Sequence, residues 1–148
     1  MSTPTTQEYT LGVEEEYQIL DPKSRELLAE GGQAVQQRAR RATMGEEVMP
    51  ELLTSQVEAV SPICRTLEEV RAELLRLRQE VSKAAAKEGA RISAASTHPF
   101  SDWRDQRITP KERYKGILEN YQRLAREQAA FGFHVHVGLA DREAAIRV

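Results

Sequence analysis

Three consecutive carboxylates, Glu14-Glu15-Glu16, interrupt a run that otherwise reads as a β-strand from Gly12 to Leu20. Val13, Tyr17, Ile19 and Leu20 favour extended structure, and Asp21-Pro22-Lys23-Ser24 ends the run as a turn. Successive side chains of a strand point to opposite faces. Glu14, Glu16 and Gln18 therefore share one face, and Val13, Glu15, Tyr17 and Ile19 share the other. Two like charges on one face repel unless water or a cation lies between them. Two readings satisfy that condition: a solvated edge strand whose charges oppose aggregation, or one wall of a divalent-cation site built from hard oxygen ligands.

The rest of the chain must decide between them. Its 148 residues suffice for one ordinary domain with a core, and 40% hydrophobic with 30% charged residues describes a soluble globular chain rather than a disordered one. A net charge of −2, with Lys and Arg interleaved among Glu, gives no basic stripe for nucleic acid and no attraction to an acidic membrane. Cys64 stands alone, so no intrachain disulfide forms; it reads as a small buried apolar side chain, and a cytoplasmic setting is expected. Residues 1–8 read as a disordered lead without the apolar core of a signal peptide, and no apolar run reaches membrane-spanning length.

A helix is expected over Gly32–Ala42. The segment Pro50–Pro62 reads as a strand toward its C-terminal half, with Thr54, Gln56 and Glu58 on one face and Ser55, Val57 and Ala59 on the other. The strongest helix signal runs from Thr66 to Glu88. Thr66 and Glu69 form a capping-box pattern, Leu67, Val70, Leu74, Leu77, Val81 and Ala84 make one apolar stripe, and Gly89 stops it. Arg91–Ser96 reads as a short strand leading to Thr97-His98-Pro99-Phe100, where His98 lines a cleft or knots a turn. A polar loop, 101–108, follows. A second helix starts at Thr109-Pro110-Lys111-Glu112, with Thr109 as cap, carries Tyr114, Ile117, Leu118, Tyr121, Leu124, Ala125 and Ala129 on its apolar face, and ends at Gly132. Phe133–Leu139 alternates as a strand with His134 and His136 on one face, and Asp141 caps a final helix.

Three strands thus each carry a polar pair two positions apart: Glu14/Glu16, Gln56/Glu58 and His134/His136. Helices intervene, so these strands can lie side by side with those faces together. Carboxylates with an occasional imidazole suit Mg²⁺ or Mn²⁺ better than structural zinc, and such sites most often serve phosphoryl chemistry. From the residues alone, a metal-dependent hydrolase or phosphotransferase fits as well as any other metal enzyme, and a solvated face remains an alternative.

The ordered motifs GVEEEYQIL (residues 12–20), LLTSQVEAVSP (52–62), THPF (97–100) and GFHVHVGL (132–139) resemble the type 2 glutamate–cysteine ligases, from about Tyr9 to the last residue. These are bacterial carboxylate–amine ligases with a glutamine-synthetase-like fold. The resemblance implies an α+β fold, mainly an antiparallel sheet with long helices on one side. It implies ATP as co-substrate with Mg²⁺ or Mn²⁺, small-molecule substrates (glutamate and an amine such as cysteine), and a γ-glutamyl acyl phosphate intermediate. It leaves room for a homo-oligomer. By matched position, Glu14, Glu16 and Glu58 are expected as metal ligands and Glu51 as a further acid. His134 is expected beside metal or nucleotide, with His136 as its same-face neighbour at the nucleotide. Glu15 is expected to be structural, and no catalytic acid or base is assigned. Members of the family are about two to three times the length of an ordinary domain of ~100–150 residues. Residues 9–148 are therefore expected to be the N-terminal part of one catalytic domain, with open sheet edges and no ligation activity alone. The later strands that in the family supply basic groups for ATP and substrate have no clear replacement here; Arg65, Arg104 and Arg107 are candidates and no more. A non-catalytic truncated remnant is the non-enzyme alternative.

Overall fold

The computed structural model describes residues 9–43 and 45–147, so the expected disordered lead at 1–8 lies outside the described residues. Strand β1 (Thr10–Leu20) is the axis of the fold. It is followed by α1 (Gly32–Ala42), β2 (Val48–Pro50), β3 (Gln56–Val60), α2 (Leu67–Lys87), β4 (Arg91–Ser93), a 3₁₀ turn (Trp103–Asp105), α3 (Glu112–Glu127), β5 (Phe133–Gly138) and α4 (Arg142–Arg147). The class is α+β, as the sequence implies, with an antiparallel sheet ordered β2-β3-β1-β4 and β5 also paired to β1.

The length of β1 lets it serve three partners. On one edge Glu14 to Gln18 pairs with Val60 to Gln56 of β3. On the other edge Thr10 to Glu15 pairs with Gly138 to Phe133, and Gln18 to Leu20 pairs with Ser93 to Arg91. Directly opposed residues of antiparallel strands share a face. Glu14, Glu16, Gln18, Gln56, Glu58, His134 and His136 consequently lie on a single face.

The opposite face makes the core. Tyr17, Ile19, Val57 and Ala59 from the sheet pack with Val35 and Ala39 of α1 and Leu77, Val81, Ala84 and Ala85 of α2. Each fully buried aliphatic side chain contributes about 1.5–3 kcal/mol. Close packing also explains Gly32 at the start of α1, where an added Cβ would stand 2.1 Å from the Thr54 carbonyl oxygen. At the start of α2, Thr66 Oγ1 accepts from the Glu69 amide at 3.1 Å. Glu69 returns its carboxylate to the Arg65 amide at 2.6 Å, one residue before the cap. The α2 stripe is buried only in its C-terminal half: Leu77, Val81 and Ala84 are enclosed, whereas Leu67 is 74% exposed.

Several expectations are corrected. The short strand Val48–Pro50 was not anticipated, and Pro50 ends it as an edge residue, where a missing amide donor costs nothing. Strand β4 stops at Ser93 instead of Ser96. Helix α3 begins at Glu112 without a side-chain cap; Thr109 is buried and its hydroxyl has no partner. It ends at Glu127 instead of running to Gly132, and it breaks at Gln122, whose φ of 45° is outside helical space. That break turns Tyr121 and Leu124, placed by periodicity on the apolar face, into solvent. Asp141 does cap α4, accepting the Glu143 amide at 2.9 Å. Strand β5 pairs only with β1 and is exposed along its whole length, leaving an open edge among the described residues.

Candidate active site

β1 places Glu14 and Glu16 side by side in projection but gives them different partners. Glu14 Oε2 lies 3.2 Å from His134 Nδ1 and 3.3 Å from His136 Nε2. These contacts follow from the register, which sets His134 opposite Glu14 and His136 opposite Gly12. Glu16 Oε2 accepts from Gln56 Nε2 at 2.7 Å and from the Gly132 amide at 2.6 Å. Gly132 also lies against the His134 ring: a Cβ there would come within 3.2 Å of it.

Glu58 stands directly across from Glu16. Burial pushes its carboxyl up to about 7, helped by the negative fields of Glu51, Glu14 and Glu16 and opposed by His134. Glu51 reaches the same region from the β2–β3 connection, where its carboxylate accepts from the Leu52 amide at 3.0 Å and from the Tyr114 hydroxyl at 3.3 Å. Burial and the Glu51 charge raise the Tyr114 phenol well above its ordinary value, so it stays a donor.

Beside this face opens a cleft of about 450 Å³. Its walls include Glu16, Glu51, Gln56 and His134 from the acidic side, with Arg113 and Tyr114 from α3. Glu14, Glu58 and His136 lie on the adjoining sheet face and do not line it. Arg113 is the residue that sequence reasoning missed. It sits one position before a core tyrosine in an ordinary charged helix, and no sequence signal separates it from its neighbours.

In the rotamers present, no three His, Cys, Asp or Glu side chains among the described residues already converge as a cation cage. The oxygen atoms of Glu14 and Glu16 are held instead by imidazole, amide and backbone donors. The chemistry of the donor set nevertheless fits a hard divalent cation. Burial first, and then the fields of three neighbouring carboxylates, raise the Glu58 carboxyl to about 7, and a cation would relieve that repulsion.

Other candidates fall outside the site. Glu15 faces the helices, as the alternation requires. His98 knots a turn: its Nε2 lies 2.9 Å from the Arg25 carbonyl oxygen and its Nδ1 accepts the Ser101 amide at 3.0 Å. Arg104 pairs with Asp102 at 2.9 Å and stacks on Trp103, while Arg107 pairs with Glu30. Arg65 precedes α2 and lines no part of the cleft. Cys64 is buried beside Leu11, as expected of a small apolar side chain.

Among solved structures, a bifunctional glutathione synthetase from Pasteurella multocida matches 94% of this chain with a TM-score of 0.70 at 18% identity, covering 18% of that chain. A glutamate–cysteine ligase from Francisella tularensis, solved with AMP, matches 97% with a TM-score of 0.69 at 12% identity, covering 29% of that chain. These likenesses establish the fold. Proteins of Herpetosiphon aurantiacus and Roseiflexus castenholzii, each named "Putative glutamate--cysteine ligase 2", are 46% identical over 140 residues, 95% of this chain. The chain spans 36% of the length of either relative. The family model for glutamate–cysteine ligase family 2 matches residues 10–148, nearly the whole sequence, and the chain belongs to that family.

Proposed function

We propose that this chain carries the acidic wall of a cytoplasmic, ATP-dependent carboxylate–amine ligase that joins the γ-carboxylate of glutamate to the amine of cysteine. The observation that supports it is the register of β1. It assembles Glu14, Glu16, Glu58 and His134 on one sheet face, next to a cleft of about 450 Å³ able to hold an amino acid. A carboxylate is a poor electrophile, so the γ-carboxylate takes the terminal phosphoryl group of ATP, and the neutral amine displaces phosphate from the acyl phosphate. Both steps gather negative charge, which Mg²⁺ or Mn²⁺ would neutralise when bound. Glu14, Glu16 and Glu58 would hold the cation, with Glu51 and His134 next to them and His136 toward the nucleotide. Arg113 would orient a substrate carboxylate, and Tyr114 keeps Glu51 in place.

Arg113 is the one Arg or Lys among the described residues lining the cleft. A single guanidinium is little for a triphosphate and two amino acids, so the 148 residues alone are expected to bind cation without turnover. Titration with Mn²⁺, followed by the electron spin resonance of the free ion, tests the site in wild type and Glu16→Gln. Equal affinity of the two would remove Glu16 from the ligand set. In a full-length relative carrying this segment, ADP release should require glutamate and an amine together. Turnover without ATP would refute ligation.

A further inference from the structure

The middle glutamate of the acidic triplet has an arrangement of its own. Glu15 points away from the site into the core and is only 4% exposed. Arg78 of α2 grips it with two bonds, Nε to Oε2 at 2.7 Å and Nη2 to Oε1 at 2.6 Å. The Tyr17 hydroxyl donates to the same carboxylate from the same strand face. Burial and the adjoining Glu15 charge raise the Tyr17 phenol far above its ordinary value, and the bonds to Glu15 do the same for Arg78.

Glu15 is buried whereas the Arg78 side chain is 46% exposed, so desolvating the carboxylate and screening of the guanidinium by water leave the pair a modest source of net stability; fixing a register is the better-attested use of such a pair. Register is the difficulty of this strand. In Glu14-Glu15-Glu16 the same side chain occupies both faces, and a slip of one residue moves every side chain to the other face. The ladder is also interrupted at the end of the triplet: β3 pairs one edge from Glu14 to Gln18, but on the other edge β5 pairs only as far as Glu15 and β4 begins only at Gln18, with a single Glu16 amide bond to Gly132 between them.

We propose that Arg78 is a positioning residue, which by clamping Glu15 from the helix side holds β1 in the register that presents Glu14 and Glu16 to the cleft face. The inference rests on the reading of that face as a cation site. It also has a sign that simple electrostatics does not share. Removing a nearby positive charge would by its field alone tighten cation binding, whereas loss of positioning weakens it.

The test uses the whole chain. Mn²⁺ titration of wild type, Arg78→Met and the double variant Arg78→Met/Glu15→Met is combined with amide hydrogen exchange and a thermal melt confirming that each is folded. Arg78→Met should weaken Mn²⁺ binding by about tenfold or more, the scale of losing a group that orients metal ligands. It should also lower protection at 14–16 while α1 keeps its own. The double variant, with an apolar pair in place of the stranded charge, should return to within about threefold of wild type. If Arg78→Met does not fold, Tyr17→Phe, which removes one bond to Glu15, should weaken binding by about two- to threefold. A folded Arg78→Met, or failing that Tyr17→Phe, with unchanged or tighter Mn²⁺ binding overturns the proposal. If wild type binds no Mn²⁺, the cation-site reading fails separately. Hydrogen exchange then decides: protection lost at 14–16 supports the clamp, and unchanged protection overturns it.

Discussion

Replacing Glu58 by Gln removes a charge from the acidic face while keeping its shape, which makes the burial of that carboxyl among its acidic neighbours measurable as stability. Burial first, then the fields of Glu51, Glu14 and Glu16, raise the folded-state carboxyl from its ordinary 4.5 to about 7. Between those values the folded chain holds a proton that the unfolded chain has released. The corresponding stability is present below about pH 4.5 and is lost as pH rises through about 7. At 1.36 kcal/mol per tenfold change, the ceiling is about 3.4 kcal/mol. The side chain is only half-buried, so screening by water brings this to about 1–2 kcal/mol. For a chain of this size that is a Tm lowered by about 2–8 °C. Calorimetry at pH 5 and pH 8, at equal ionic strength and without divalent cation, should show wild type losing that much more than Glu58→Gln. The variant should match wild type at pH 5 and exceed it at pH 8. Adding Mg²⁺ or Mn²⁺ at pH 8 should raise the Tm of wild type more than that of the variant. Parallel pH profiles for the two proteins would refute a raised Glu58 carboxyl, and with it the crowding that gives a reason for expecting a cation there.

Leu77→Ala, at a position 1% exposed, should cost about 2–5 kcal/mol in urea denaturation, because the cavity lies between α2 and the sheet. Gly32→Ala should destabilise by about 1–3 kcal/mol or more in the same assay, since its Cβ would collide with the Thr54 backbone. Gly116→Ala is its counterpart: the position is helical with nothing within 4 Å, so the change should stabilise by about 0.5–1 kcal/mol. Thr66→Ala should lose about 1 kcal/mol with the cap on the Glu69 amide, read as a lower Tm.

The elements that sequence made legible are those in which one physical signal dominates. The Thr66 cap, the Leu77–Val81–Ala84 stripe and Gly89 fix α2 almost to the residue. Alternation in β1, β3 and β5 fixes which side chains share a face, and hence the company of Glu14, Glu16, Glu58 and His134. What escaped was set by tertiary structure. Val48–Pro50 is too short to show a period, and it becomes a strand only because β3 offers an edge. Thr109 has a capping sequence, but the chain turns so that Lys111 precedes the helix and the hydroxyl is buried without use. The break at Gln122 has no local cause in the sequence, and it carries Tyr121 and Leu124 off the face their spacing assigns. The same limit hid Arg113, whose place at the cleft depends on where α3 lies against the acidic face.

The acidic triplet shows how the legible and illegible parts depend on each other. Alternation alone says that Glu14 and Glu16 oppose Glu15, but not which side meets the helices, because a carboxylate stands on both. Val13, Tyr17 and Ile19 lean the decision toward burying Glu15, at the cost of placing a charge in the core. A carboxylate stranded there would cost several kcal/mol. The sequence therefore requires a cation from elsewhere in the chain, and α2 supplies it at Arg78, 63 positions away. That arginine lies on α2 one position after the buried Leu77, so the apolar stripe that docks the helix also brings the guanidinium to Glu15. The docking of α2 and the orientation of the two site-facing carboxylates are in that sense one event. A defect in the helix–sheet core is expected to reach the acidic face before it unfolds the chain. Comparing Mn²⁺ affinity with Tm across core variants of α2 would expose this as affinity lost at temperatures where the protein is still fully folded.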